Sequence, residues 1–182
     1  MPLSYGGGIK SVETAKKIFD LGVEKVILNS EAIINPDLIS EIASIFGSQA
    51  VIVSIDVKKT FLINKYNVYS HSGKTKANLD LKTWAKECEN LGAGEIMLNN
   101  INRDGTWSGY DVELYRQIGE GLNIPMIGCG GAKNIDDISE LIEQSKCSAA
   151  GVGSMVVFQK KDNGVLISFP KPKDIESKLH LK

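Results

Sequence analysis

Two glycine-rich segments, Tyr5-Gly6-Gly7-Gly8 and Gly128-Cys129-Gly130-Gly131, carry the clearest chemical potential in this sequence. Glycine lets backbone N–H groups approach an oxyanion closely. A helix N-terminus behind such a loop adds about half a positive charge. The two segments are copies in register: Pro125 stands to Pro2, Gly130 to Gly7 and Lys133 to Lys10 at one offset of 123 positions. Each reads as a strand, a double glycine, a lysine, a helix cap and an acid in the first turn. One βα unit later each is followed by a strand ending in small polar residues, Asn29-Ser30 in the first and Gly153-Ser154 in the second. Gly7 and Gly8 with Asn29 and Ser30 make one candidate phosphate cradle. Gly130 and Gly131 with Gly153 and Ser154 make the other. A single loop of this kind serves equally well as a tight strand-to-helix turn. The duplication favours phosphate, and a ligand with a phosphate at each end.

Asp56 ends the apolar run Ala50–Ile55. A carboxylate at the C-terminal end of a barrel strand is where catalytic acids and bases sit, although it could also cap the following loop. Asn99–Thr106 follows the strand Ile96–Leu98 as a polar stretch with Gly105 for close backbone approach. Lys25 and Glu95 open strands at the opposite end from the glycine loops. They are solvated strand starts, or a pair that gates passage at the mouth of a narrow barrel. Cys88, Cys129 and Cys147 are too few and too far apart for a disulfide framework or a zinc pattern. Cys129 lies beside a glycine loop but has no neighbouring histidine to activate it. His71 and His180 have no evident role as ligands. Trp84 reads as helix core, and Trp107 could cover a ligand.

These residues need elements to hold them, and the chain supplies alternating strand and helix patterns throughout its 182 residues. Ser11 caps a helix that Gly22 stops. Asn35-Pro36 starts a second helix, Asp80 caps a third that Gly92 ends, and further helices cover Tyr110–Ile118, Ile135–Ile142 and Asp174–Leu179. Between them lie short strands, with a small hairpin over Phe61–Ser70. About six βα units follow one another without a linker, which predicts one α/β domain over 1–182 with a parallel sheet. No G-x-G-x-x-G opens a helix, so a dinucleotide fold is disfavoured. Apolar residues are 42%, charged residues 24% and net charge −1, an ordinary globular balance without attraction for nucleic acid or an anionic membrane. No apolar run reaches the ~20 residues of a bilayer span, and Met1–Tyr5 lacks the features of a signal peptide. The expected location is cytoplasmic, with no metal and no organic cofactor.

Tyr5-Gly6-Gly7-Gly8-Ile9, Phe46-Gly47-Ser48-Gln49-Ala50, Ile55-Asp56, Gly92-Ala93-Gly94-Glu95, Arg103-Asp104-Gly105-Thr106 and Ser108-Gly109-Tyr110-Asp111 stand in this order. Together they resemble the cyclase subunit of imidazole glycerol phosphate synthase. The resemblance implies a (βα)8 TIM barrel that takes ammonia from a glutaminase partner. The ammonia attacks a bisphosphorylated ribulosyl aminoimidazole carboxamide nucleotide, giving imidazole glycerol phosphate and an aminoimidazole carboxamide ribotide in histidine biosynthesis. By position it makes Asp56 one of two acid/base aspartates. Gly8, Asn29 and Ser30 fall to one phosphate site, and Asp104, Gly105, Gly131, Gly153 and Ser154 to the other. Lys25 and Glu95 match the ammonia gate.

The family pattern begins two βα units before Tyr5, and its other aspartate lies there. The expectation is therefore an N-terminally truncated barrel of about six units, completed by self-association or a partner, with little or no cyclase turnover. Asn102 stands where the pattern has aspartate, and Cys129 where it has serine. The tail Val165–Pro170 resembles paralogues associated with surface-polysaccharide (lipopolysaccharide) sugar amidation. A non-catalytic ammonia conduit to a sugar amidotransferase, or an inactive barrel fragment, are the alternatives to an active cyclase.

Overall fold

The computed structural model describes residues 2–60, 65–158 and 164–179. Six parallel strands form the wall of the molecule: β1 (Ser4–Gly6), β2 (Lys25–Leu28), β3 (Val51–Thr60), β6 (Glu95–Asn100), β7 (Met126–Cys129) and β8 (Ala149–Gly151). They neighbour one another in chain order with no reversal. A doubly wound sheet needs a switch point where the order reverses, so this is barrel wall and not a dinucleotide fold. Among the described residues β1 pairs only with β2 and β8 only with β7, which leaves the wall open.

Alternation along the strands separates two faces. On β3, Val51, Val53, Ile55 and Val57 are fully buried beneath the helices, as are Ile96 and Leu98 on β6. The other set, Ser54 and Asp56 on β3 with Glu95, Met97 and Asn99 on β6, is half-buried and faces the hollow side of the wall. The outer layer is made by α1 (Val12–Asp20), α3 (Asp37–Phe46), α4 (Leu81–Asn90), α5 (Val112–Gly119), α6 (Ile135–Gln144) and α8 (Pro172–Lys178). The apolar faces of α1, α3, α4, α5 and α6 join one core that includes Ile39, Trp84, Leu114 and Leu141, whereas α8 buries no residue. Trp84 is core, as its position on the helix face predicts.

Local signals place most boundaries within a residue or two. Ser11 caps α1 by accepting from Thr14 N, and Asp80 caps α4 by accepting from Thr83 N. Asn134 and Asp137 form a capping box on α6. Three expectations change. Asn35 precedes Pro36, whose φ of −59° and ψ of −30° are already helical, and the Asn35 carbonyl accepts from Leu38 N at 3.2 Å, but its side chain makes no capping bond. Two short helices, α2 (Ser30–Ile34) and α7 (Ser154–Val157), were not visible as patterns. Strand β3 does not stop at Ile55 but runs on to Thr60, because its end pairs antiparallel with β4 (Lys65–Ser70), which pairs with β5 (Thr75–Lys76). The expected hairpin exists, but its first arm is the end of β3, and Phe61 lies outside the described residues. No described helix is long and apolar enough to cross a membrane.

Candidate functional site

Both glycine loops leave the wall at the C-terminal ends of their strands, β1 and β7. Gly7 and Gly8 have φ of 106° and 72°, and Gly130 and Gly131 have 99° and 107°. The left-handed region is thus occupied at both repeat positions, which L side chains adopt only with strain. The caps obey the same offset, since Ser11 to Asn134 and Thr14 to Asp137 are again 123 positions apart. The following unit is also duplicated. Asn29, opening α2, has φ −128° and ψ −92°, and Gly153, opening α7, has φ −126° and ψ −91°. The repeat therefore extends through β1-α1-β2-α2 and β7-α6-β8-α7.

The loops bound two separate cavities. The first, about 380 Å³, is lined by Gly7, Gly8, Asn29, Ser30, Asp56 and His71 among others. A side chain on Gly7 or Gly8 would meet no heavy atom within 4 Å, so the backbone there is open to a ligand. Asn29 is held by donating to Ser54 O at 3.1 Å, and Ser30 Oγ donates to Asn29 Oδ1 at 3.3 Å. The second cavity, about 340 Å³, gathers Asp104, Gly105, Gly130, Gly131, Gly153 and Ser154, with Asn99 and Cys129 on its wall. Every residue assigned to a phosphate cradle from the sequence thus lies on one of the two cavities. Asp104 and Gly105, which precede the second loop by a whole βα unit, are brought to it by the β6–α5 connection.

Asp56 joins the two. It lines the first cavity, yet its Oδ1 accepts from Asn99 Nδ2 at 3.2 Å, and Asn99 lines the second. It is not at a strand end: β3 continues past it, and Asp56 pairs with Asn99 on one side and Tyr69 on the other. Burial raises its carboxyl above the ordinary aspartate range, and Asp104 pushes the same way, while bonds from the Asn99 and Asn29 amides pull it down. A carboxyl with a raised folded pKa holds its proton more readily in the folded chain. Folding therefore gains below that pKa and loses the contribution as pH rises through it. Asp56→Asn is expected to raise the melting temperature at neutral pH, with the gain shrinking as the buffer approaches the ordinary aspartate pKa of about 3.9. Thermal unfolding at pH 7.5 and pH 4 checks it, and a variant less stable than wild type at pH 7.5 would count against it.

Lys25 and Glu95 begin β2 and β6, the two strands flanking β3, and their side chains form an ion pair across it. The pair lies at the N-terminal end of the wall, opposite the cavities. Cys129 lies against Gly151, and burial pushes its thiol up to about 12, so it is not a thiolate nucleophile. Trp107 covers neither cavity: it lines a separate pocket with Lys133 and the tail residues Leu166, Ser168 and Phe169. His71, given no role in the sequence, borders the first cavity, because the hairpin turn folds back onto α2. Asn102 accepts from Lys59 N at 2.7 Å through its side-chain carbonyl, a bond an aspartate would make equally well. Among the described residues, no group of three or more His, Cys, Asp or Glu side chains could hold a metal ion.

A family model described as "Histidine biosynthesis protein" matches residues 1–162. The putative imidazole glycerol phosphate synthase subunit HisF of Leptospira borgpetersenii is 44% identical over 177 residues, which is 97% of this chain and 70% of that protein. A putative subunit hisF3 of Vibrio vulnificus is 41% identical over 181 residues, 100% of this chain and 70% of the relative. Imidazole glycerol phosphate synthase subunit HisF of Lactococcus lactis subsp. lactis is 44% identical over 155 residues, 85% of this chain and 60% of that protein. With the matched residues running through both glycine loops and Asp56, the chain belongs to the histidine biosynthesis protein family, among its HisF-like members.

Proposed function

We propose that the hollow face of the wall binds a small molecule carrying a phosphate at each end, with Asp56 as acid/base group between the two phosphates. The observation that carries this is the Asp56–Asn99 hydrogen bond, which links the glycine-lined cavities. Backbone N–H groups at Gly8 and Gly131 would hold the terminal phosphates. An aspartate whose pKa is raised towards working pH can both accept and return a proton. The ligand that fits this reading is the bisphosphorylated ribulosyl aminoimidazole carboxamide nucleotide. Ammonia from a glutaminase subunit would enter at the Lys25–Glu95 end, and the products would be imidazole glycerol phosphate and an aminoimidazole carboxamide ribotide.

Two phosphates on one molecule bind as a chelate, so the bisphosphate should bind more than tenfold tighter than a monophosphate of similar size. Calorimetric titration with both reads this directly, and equal affinities would sink the two-cradle reading. Whatever turnover the chain shows with ammonia and the bisphosphate should fall about 100-fold or more in Asp56→Asn.

A second reading, a non-catalytic ammonia conduit serving a sugar amidotransferase in surface-polysaccharide synthesis, draws on the tail Val165–Pro170 and on the ion pair opposite the cavities. It predicts binding without turnover, and stimulation of a glutaminase on mixing. An inactive barrel fragment would do neither.

A further inference from the structure

The β4–β5 turn has three consecutive residues in the left-handed region, His71, Ser72 and Gly73, at φ of 52°, 56° and 74°. Two of them are not glycine, a costly run that persists only where the surroundings impose it. Two contacts from beyond the turn itself do so. Lys58, two residues beyond Asp56 on β3, donates from Nζ to Gly73 O at 2.6 Å, with its ammonium 4.6 Å from the centre of the Tyr69 ring. At the other end of the turn, His71 N donates to Ser30 Oγ at 2.9 Å.

The second contact has a chemical consequence. A serine hydroxyl has one proton to give. With a lone pair of Ser30 Oγ taken by the His71 N–H, that proton points to Asn29 Oδ1, at 3.3 Å, a long bond for an O–H donor. An oxyanion in the first cavity would be a better acceptor for it. Ser154, at the corresponding place in the second cradle, has no comparable backbone donor on its hydroxyl among the described residues.

We propose that Lys58 is a positioning residue for the first cradle alone: by pinning the His71–Gly73 turn it keeps the Ser30 hydroxyl aimed as a donor into the cavity. The inference rests on the reading of Gly7, Gly8, Asn29 and Ser30 as an anion site, and the experiment separates the two. Inorganic phosphate is titrated into the full chain while the amide resonances of Gly8 and Gly131 are followed separately by two-dimensional NMR. If Gly8 does not respond in the wild type, the cradle reading itself fails. If it responds, Lys58→Met should weaken phosphate binding at Gly8 by about threefold to tenfold, the value of one net hydrogen bond. Binding at Gly131 should be unchanged, which also reports that the variant is folded. Lys58→Arg, which keeps a cationic donor, should restore most of the affinity.

The decisive comparison is made with Ser30→Ala. If Lys58 acts through the turn on this hydroxyl, adding Lys58→Met to Ser30→Ala should change the Gly8 affinity less than twofold. Full additivity would overturn the proposal, because a lysine attracting the anion directly by its charge acts with or without Ser30. Equal weakening at Gly8 and Gly131, or no weakening at either, would also overturn it.

Discussion

Gly131→Ala is expected to cost about 3 kcal/mol of folding stability and to abolish anion binding at the second cradle. A Cβ there would stand 2.2 Å from Gly109 O and 3.2 Å from Arg103 Cβ, on a backbone at φ +107°. The obstacle cannot yield, because Gly109 N donates to Gly131 O at 2.9 Å and locks the loops backbone to backbone. Backbone strain and overpacking are thus both incurred, each worth on the order of 1–3 kcal/mol. Gly8→Ala is the control. It has the same left-handed requirement, at φ +72°, but open space around it, so only strain remains, about 1–2 kcal/mol. Urea unfolding of the two variants reads the difference. Equal losses would show that the packing of the β6–α5 connection against the second loop is not what demands glycine.

The second large effect is at Asp111, which precedes α5 but does not cap it. Its carboxylate, 7% exposed, accepts from Tyr66 Oη at 2.7 Å and from Asn100 Nδ2 at 3.1 Å, with Arg103 Nε 3.9 Å away. Arg103 in turn donates to the carbonyls of Ser108, Gly109 and Tyr110, which shapes the loop that carries Asp104 and Gly105. Burial and the neighbouring carboxylate drive the Tyr66 phenol well above its usual range, so it remains a donor. Asp111→Ala would strand a phenol and a buried amide that now share one acceptor, while Arg103 would keep its three carbonyl partners. Each buried donor left without its acceptor costs about 1–3 kcal/mol, so the loss should be roughly 2–4 kcal/mol. Tyr66→Phe removes one bond and should cost only about 1 kcal/mol. Thermal unfolding measures both, and hydrogen exchange should show β4 losing protection first in Asp111→Ala. A loss below that of Tyr66→Phe would mean that Asp111 does not organise the contact between hairpin and wall.

The two cavities depend on these interior contacts as much as on their lining. The hairpin touches the first cradle through His71, the β6–α5 connection through Tyr66 and Asp111, and Asn102 through the Lys59 amide. It forms a brace between the halves of the duplicated site. Nothing in the local pattern around Tyr66 and His71 predicts that, because their partners, Asp111 and Ser30, are distant in sequence.

By itself the sequence determined what depends on local chemistry. Left-handed glycines, helix caps and the apolar alternation of β3 act within a few residues, so they are readable as types and spacings. For the same reason the repeat at 123 positions identified both loops before any contact was known. Residues that act by meeting across strands were not readable in this way. Position in the chain left Lys25 and Glu95 as either solvated strand starts or a pair, and they pair because β2 and β6 flank β3. Asp56 lies inside its strand and not at the end because pairing with β4 extends β3 to Thr60. Asp104 joins the second cavity, and His71 the first, because loops return over the wall. Those placements belong to the tertiary structure, since strand register and loop return are set by contacts between segments that carry no signal of each other in the chain.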